Sequence, residues 1–184
     1  LSRRPISNDD NQGQIVLRVR DIQADTIDYS DNRRFLLTES EKNDNELVDG
    51  DLVFIRVNGN KDYVGRCATF QGFYESVYHS DHIFRIRFKS SSFNPLYLSY
   101  LLNTSYGRRQ LNDNVRTSAG QYTINQTGLG DTQILCPPIK KQDEFVTLLE
   151  FIKMQNTLQK GTLNSLSNLS KSLIDKAFLG ELIV

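Results

Sequence analysis

The chain has 184 residues, 38% of them hydrophobic and 24% charged, which excludes a disordered, fibrous or collagen-like protein and suits one domain with an appendage. Its 22 basic and 22 acidic side chains cancel, which excludes a generic polyanion binder. No window approaches the run of about eighteen apolar residues that a membrane span requires.

The opening Leu1-Ser2-Arg3-Arg4-Pro5 starts without Met and has no apolar leader core, so a cytoplasmic protein with no membrane association is expected. Residues 14–22 are β-branched and partly alternating, which predicts a strand with Arg18 and Arg20 on one face and Leu17 and Val19 on the other. A polar, acidic stretch follows, within which Thr38-Glu39-Ser40-Glu41 has the spacing of a helix start. Asp49-Gly50-Asp51 turns the chain into a strand over 52–57, ended by Asn58-Gly59-Asn60, with a pairing candidate over 63–70. Residues 82–89 alternate and predict a further strand edged by Arg85 and Arg87.

Asn94-Pro95 then has the form of a helix cap and first turn, with a leucine- and tyrosine-rich face up to Asn103, and a short helix is expected over 106–114. Residues 118–121 read as a loop, 122–125 and 132–135 as short strands, and Pro137-Pro138 as a domain boundary. From Lys141 onward the pattern becomes one long helix whose apolar stripe passes through Leu163, Leu166, Leu169, Leu173 and Ala177. At roughly 1.5 Å per residue it extends about 50 Å. Gly161, with Asn156 and Gln159, predicts a bend or a weak point in it.

The zero net charge hides an uneven distribution. Residues 1–52 carry seven Lys/Arg against twelve Asp/Glu, residues 53–130 nine against four, and residues 131–184 six against six. All thirteen arginines lie at or before Arg116, and every later cation is lysine. Arginine's planar fork matches phosphate and guanine edges, whereas lysine suits a solvated helix surface, so two tasks are segregated along the chain.

Several small constellations have bland readings that outweigh catalytic ones. Cys67 and Cys136 are far apart and outside any C-x-x-C spacing, which predicts free thiols rather than a disulfide or a zinc site. His79 and His82 lack a third ligand of suitable spacing. Asn94-Pro95-Leu96-Tyr97 imitates the Asn-Pro-Pro-Tyr of amino-methyltransferases, but no glycine-rich loop for a methyl donor precedes it. Tyr74, Tyr78 and Tyr122 have rings suited to base stacking and equally to ordinary packing. Arg108-Arg109 and Arg116 suit phosphate contacts and equally a solvated helix face.

The run Gly50-Asp51-Leu52-Val53-Phe54-Ile55-Arg56-Val57-Asn58-Gly59 resembles the G-D-hydrophobic-hydrophobic-x-x-R-x-N-G box of Type I restriction-modification specificity subunits. Further matches follow in the family's order: Asn94-Pro95-Leu96-Tyr97-Leu98, Ser118-Ala119-Gly120-Gln121-Tyr122-Thr123-Ile124-Asn125, Pro137-Pro138-Ile139-Lys140-Lys141-Gln142, and Lys176-Ala177-Phe178-Leu179-Gly180-Glu181-Leu182. The resemblance implies an α+β fold. A mixed α/β target-recognition domain with a twisted, partly barrel-like sheet is expected over 1–139, followed by a long coiled-coil-forming helix over 140–184.

The resemblance also implies function. The chain is expected to have no catalysis and no cofactor or metal of its own, and to read one half of a bipartite site in double-stranded DNA. It would direct methyltransferase subunits, which carry S-adenosylmethionine, and a restriction subunit to that site. The family's subunit carries two recognition domains and two helices where one of each is found here. That departure leaves three options: a natural half-subunit, a truncated product or a fragment. A half-subunit is expected to pair through Leu163, Leu166, Leu169, Leu173 and Ala177, with an interrupted palindrome as target if it pairs with itself and unlike half-sites if it pairs with a second half-subunit.

The DNA face is assigned to Arg56, Asn58, Asn60, Lys61, Arg66, Gln121 and Tyr122. Arg85, Arg87 and Arg116 are assigned to phosphate, and Arg18 and Arg20 join as further DNA contacts. The alternatives are an adaptor whose helix docks partners without reading DNA, and an enzyme built on His79, His82 or the Asn94 stretch.

Overall fold

A computed structural model describes residues 12–89 and 92–180. The opening Leu1–Pro5, and Glu181 and Leu182 of the last motif, lie outside the described residues. The chain divides into two compact units, Leu1–Gln142 and Asp143–Val184.

Among the described residues the first unit holds three three-stranded sheets rather than a closed barrel, so the expected barrel-like sheet is replaced by separate small sheets in a mixed α+β fold. In the first sheet, β1 (Gln14–Leu17) pairs antiparallel with β2 (Arg34–Phe35) and parallel with β6 (Val77–His79). The strand read over 14–22 stops at Leu17 because the Asp21 carboxylate accepts the Arg18 backbone N–H at 2.8 Å and folds Val19–Asp21 into a single 3-10 turn. Helix α1 (Glu39–Asn45) begins where its capping box predicts. The Thr38 hydroxyl accepts the Glu41 N–H at 3.3 Å, and the Glu41 carboxylate accepts the Thr38 N–H at 2.8 Å.

The second sheet is the core. Strand β3 (Leu52–Ile55) lies between β5 (Cys67–Thr69) and β7 (Ile83–Ile86), antiparallel to both, and all four of its residues are buried. Burial on both faces explains the unbroken Leu-Val-Phe-Ile run. Val53 and Ile55 join Ile15, Leu17, Val77 and Ile83 in one apolar cluster. The strand expected over 82–89 is shorter, Ile83–Ile86.

The strand expected over 52–57 breaks at Arg56. Past it, β4 (Val57–Asn58) leaves the core sheet for a third one, ordered β4, β9 (Gln121–Thr123), β8 (Arg116–Ser118). Thr132 forms no strand with Leu135; its hydroxyl instead donates to the Gly128 carbonyl at 2.9 Å and closes the short helix α4 (Gln126–Gly130).

Helix α2 (Pro95–Asn103) starts as read, with the Asn94 side chain accepting the Leu96 and Tyr97 N–H groups at 2.9 and 3.2 Å. It packs on β5, and Asn103 ties the two together by donating to the Cys67 carbonyl at 2.8 Å. Helix α3 (Ser105–Asn112) crosses α2 so closely that a Cβ on Gly107 would stand 2.3 Å from the Leu101 carbonyl oxygen. The long helix α5 (Ile139–Phe178) runs 40 residues and is helical through Gly161. Its stripe residues Leu163, Leu166, Leu169 and Leu173 are 47–65% exposed, and Ala177 is exposed. No described helix is long and apolar enough to cross a membrane.

Candidate nucleic-acid interface

The third sheet collects residues that are far apart in sequence. Asn58 on β4 stands opposite Tyr122 on β9, and Thr117 on β8 stands opposite the same tyrosine from the other side. Arg116 pairs with Thr123, and Gln121 pairs with Ser118 across the Ala119-Gly120 turn. Both turn residues have positive φ, 48° and 77°, the geometry of a tight two-residue hairpin. Gln121 and Arg116 are exposed, while Asn58 and Tyr122 are half-buried. Sequence reading placed Ser118–Gln121 in a loop and missed β8, whose residues carry no apolar alternation.

Between β4 and β5 the chain makes a folded tip held by its own side chains. The Asn58 Oδ1 accepts the Asn60 N–H at 2.8 Å, and the Asn60 Oδ1 accepts the Asp62 N–H at 2.9 Å. These are Asx turns, so the two asparagines assigned to base reading also shape the tip. Lys61 is exposed at its crest, and the Arg66 guanidinium lies over the Tyr63 ring, 3.8 Å from its centroid. Arg56 sits where β3 passes into β4; its guanidinium lies over Phe84 at 5.0 Å and donates to the Asp81 carbonyl at 3.4 Å.

Charge divides the arginines into two groups. Arg18, Arg20 and Arg33 surround Asp31 at 3.3–3.4 Å, and Arg34 pairs with Glu75. Arg18 also binds Asp21 through Nη2 at 2.8 Å. Arg87 donates from Nε and Nη2 to both oxygens of Asp51 at 2.7 Å. Arg85 donates to the Glu46 carbonyl at 2.7 Å.

By contrast Arg56, Lys61, Arg66, Arg108 and Arg116 have no ion pair among the described residues. Arg85, whose partner is a backbone carbonyl, has none either, so the cations without a counter-charge among the described residues include one on β7 as well as those of the third sheet, the tip and α3. Of the twelve assigned residues, the structure brings Asn58, Arg116, Gln121 and Tyr122 onto one sheet, with Asn60, Lys61 and Arg66 in the tip that follows β4. It places Arg18 and Arg20 beside the first sheet, and Arg85 and Arg87 on or after β7, each with an internal partner. Arg108 is the cation beneath the tip whose place was not legible, because only the fold brings α3 under residues 59–66.

The remaining constellations have structural explanations. The Asn94-Pro95-Leu96-Tyr97 stretch is a cap and first helical turn, and the Tyr97 hydroxyl donates to the Leu135 carbonyl at 3.2 Å. His79 shares its Nδ1 with the Ser80 carbonyl at 3.1 Å, and burial holds its pKa below the ordinary value. His82 contacts Asp81 instead. Cys67 is fully buried and Cys136 is exposed, both as free thiols. Among the described residues no group of three His, Cys, Asp or Glu side chains is placed to hold a metal ion.

No family model matches the chain. It is 34% identical over 171 residues to the Type I restriction enzyme StySPI specificity subunit of Salmonella potsdam, an alignment covering 91% of this chain and 37% of the relative. It is 32% identical over 187 residues to the Type I restriction enzyme EcoKI specificity subunit of Escherichia coli strain K12, covering 99% of this chain and 40% of that one. The chain thus spans about two fifths of the length of the curated relatives it matches. Over the stretch that it spans, the chain is similar to Type I restriction enzyme specificity subunits.

Proposed function

We propose that the first unit reads one half of a bipartite site in double-stranded DNA through the β4-β9-β8 sheet and the tip after β4. The observation that carries this is electrostatic and topological together: among the described residues Lys61, Arg66 and Arg116 lack counter-charges, and they share one sheet and its tip with Asn58, Gln121 and Tyr122. Cations without an internal counter-charge are the ones available to displace counterions from phosphate. Asparagine and glutamine present the paired donor and acceptor that match an adenine edge. The names of the relatives support the same reading.

In this proposal the chain catalyses nothing. It places methyltransferase subunits, which hold S-adenosylmethionine, and a restriction subunit at the site. Residues 1–139 act as the target-recognition domain and 140–184 as a spacer helix. The exposed Leu163, Leu166, Leu169, Leu173 and Ala177 stripe pairs with a second helix of the same kind, since an isolated helix face this apolar is unfavourable in water.

The test is a map of methylated bases in cells expressing the chain with its modification partner. Gln121→Ala is expected to relax choice at one base position. Arg116→Ala is expected to weaken binding to all sequences and to lower the salt slope by about 0.9, the share of one phosphate contact. A parent chain that selects no sequence sinks the proposal.

A further inference from the structure

Beneath the tip lies a side chain outside the proposed reading face. Arg108, on α3, donates through Nη2 to the Asp62 carbonyl oxygen at 3.1 Å. Arg66 donates through Nε to the same oxygen at 3.3 Å. Two guanidiniums of like charge thus converge on one backbone carbonyl, and neither has an ion pair among the described residues. Burial, and secondly the charge of Arg66, hold the Arg108 pKa below its ordinary value.

The neighbouring backbone is shaped around this guanidinium. Gly65 has a φ of 87°, and a Cβ there would stand 2.8 Å from Arg108 Nη1 and 3.1 Å from the Leu111 side chain. That same Nη1 is buried and has no hydrogen-bond partner. A buried donor without a partner is costly, so an apolar side chain of similar length would fill this space at a smaller penalty. The guanidinium supplies something such a side chain lacks: a directional hold on the Asp62 carbonyl.

Resting on the DNA-reading function proposed above, we infer that Arg108 is a positioning residue, which latches the Asp62 carbonyl from below and fixes the pose of the Gly59–Arg66 tip. It sets sequence discrimination without contacting DNA. The Asx turns at Asn58 and Asn60 shape the crest locally, whereas the Arg108 latch and the Gly65 contact tie the tip to a helix more than 40 residues further along the chain. A tip anchored at one geometry presents Asn58, Lys61 and Arg66 with less ordering to be done on binding, and preorganisation of this kind favours the matched sequence.

The test uses the full chain with its modification partner, offered a pool of duplex DNA of randomised sequence, and compares the parent with Arg108→Met and Arg108→Lys. Salt titrations on one unselected duplex run in parallel. Arg108→Met is expected to reduce enrichment of the parent's preferred sequence at least about tenfold, leaving the salt slope on unselected DNA unchanged, with Arg108→Lys restoring most of the loss. A salt slope lowered by about 0.9, with the sequence preference retained, would make Arg108 a phosphate contact and overturn the inference. Unchanged enrichment in Arg108→Met would overturn it as well.

If Arg108→Met does not fold, amide exchange in Arg108→Gln decides. Faster exchange at Tyr63, Val64 and Arg66 alone supports the latch, and parental rates at those amides refute it. A parent that enriches no sequence fails at the earlier step and removes the DNA-reading proposal itself.

Discussion

Arg87 and Asp51 form a two-pronged ion pair, with both contacts at 2.7 Å, that closes β7 onto the turn leading into β3. Asp51 is only 1% exposed, and its second oxygen also accepts the Val48 N–H at 2.9 Å. The preceding Gly50 has a φ of 85°, so the Gly-Asp pair is a turn glycine followed by a buried anchor.

Arg87, assigned to phosphate from the sequence, has its guanidinium held by Asp51 in the structure. Arg87→Met leaves the Asp51 carboxylate buried without its counter-charge, and because Arg87 is itself 46% exposed the cost is placed below that of a fully buried pair, at about 2–3 kcal/mol. Urea unfolding measures it. The salt slope of DNA binding is expected to stay at the parent value, and a slope lowered by about 0.9 would return Arg87 to the DNA face.

Gly107 is required by the approach of α3 to α2. A Cβ at that position would stand 2.3 Å from the Leu101 oxygen and 2.5 Å from the Leu102 Cα, both backbone atoms that cannot rotate away. Gly107→Ala is expected to destabilise the first unit by about 3 kcal/mol or more, since overpacking against backbone forces the two helices apart. Gly130→Ala, where no heavy atom lies within 4 Å of the added methyl, is the control and is expected to change the unfolding midpoint little.

The Arg34 pair makes stability depend on acid. Arg34, through its hydrogen bond and its charge, holds the Glu75 carboxyl below its ordinary value of 4.5. A carboxyl depressed in the folded state contributes stability that is fully present above the unfolded value and is lost as pH falls through the folded one. Glu75→Gln is therefore expected to be less stable than the parent at pH 7, and the two should converge below pH 4.5. Urea midpoints across that range check the sign, and a gap that widens toward acid would refute it.

The two thiols should separate cleanly. Burial pushes the Cys67 thiol up to about 12, and its side chain is 0% exposed. An alkylating reagent at pH 8 is expected to modify Cys136 rapidly and Cys67 only at the rate of unfolding. Mass spectrometry of the folded protein should show one adduct, at Cys136. Prompt modification of Cys67 would contradict the packing of α2 on β5.

Local signals determined much of this protein. The β3 run, the capping box at Thr38, the Asn94-Pro95 helix start and the long apolar stripe of α5 are readable because each rests on residues adjacent or one turn apart. The same signals misled where a competing local interaction intervened or a single residue was overweighted. Arg18 and Arg20 alternate as a strand would, but the Asp21 carboxylate captures the Arg18 N–H and ends the strand first. Gly161 does not interrupt α5, because one glycine costs only about 1 kcal/mol, too little to break a helix this long.

Tertiary structure decided which cations are neutralised by carboxylates that lie far from them in sequence. Arg34 and Glu75 are 41 residues apart, Arg87 and Asp51 are 36, and no local pattern distinguishes these paired arginines from Arg66 or Arg116. The β4-β9 register likewise joins Asn58 to Tyr122 across more than 60 residues. Backbone pairing and ion pairing at that separation depend on where the core sheet sends each strand, and only the folded chain specifies that.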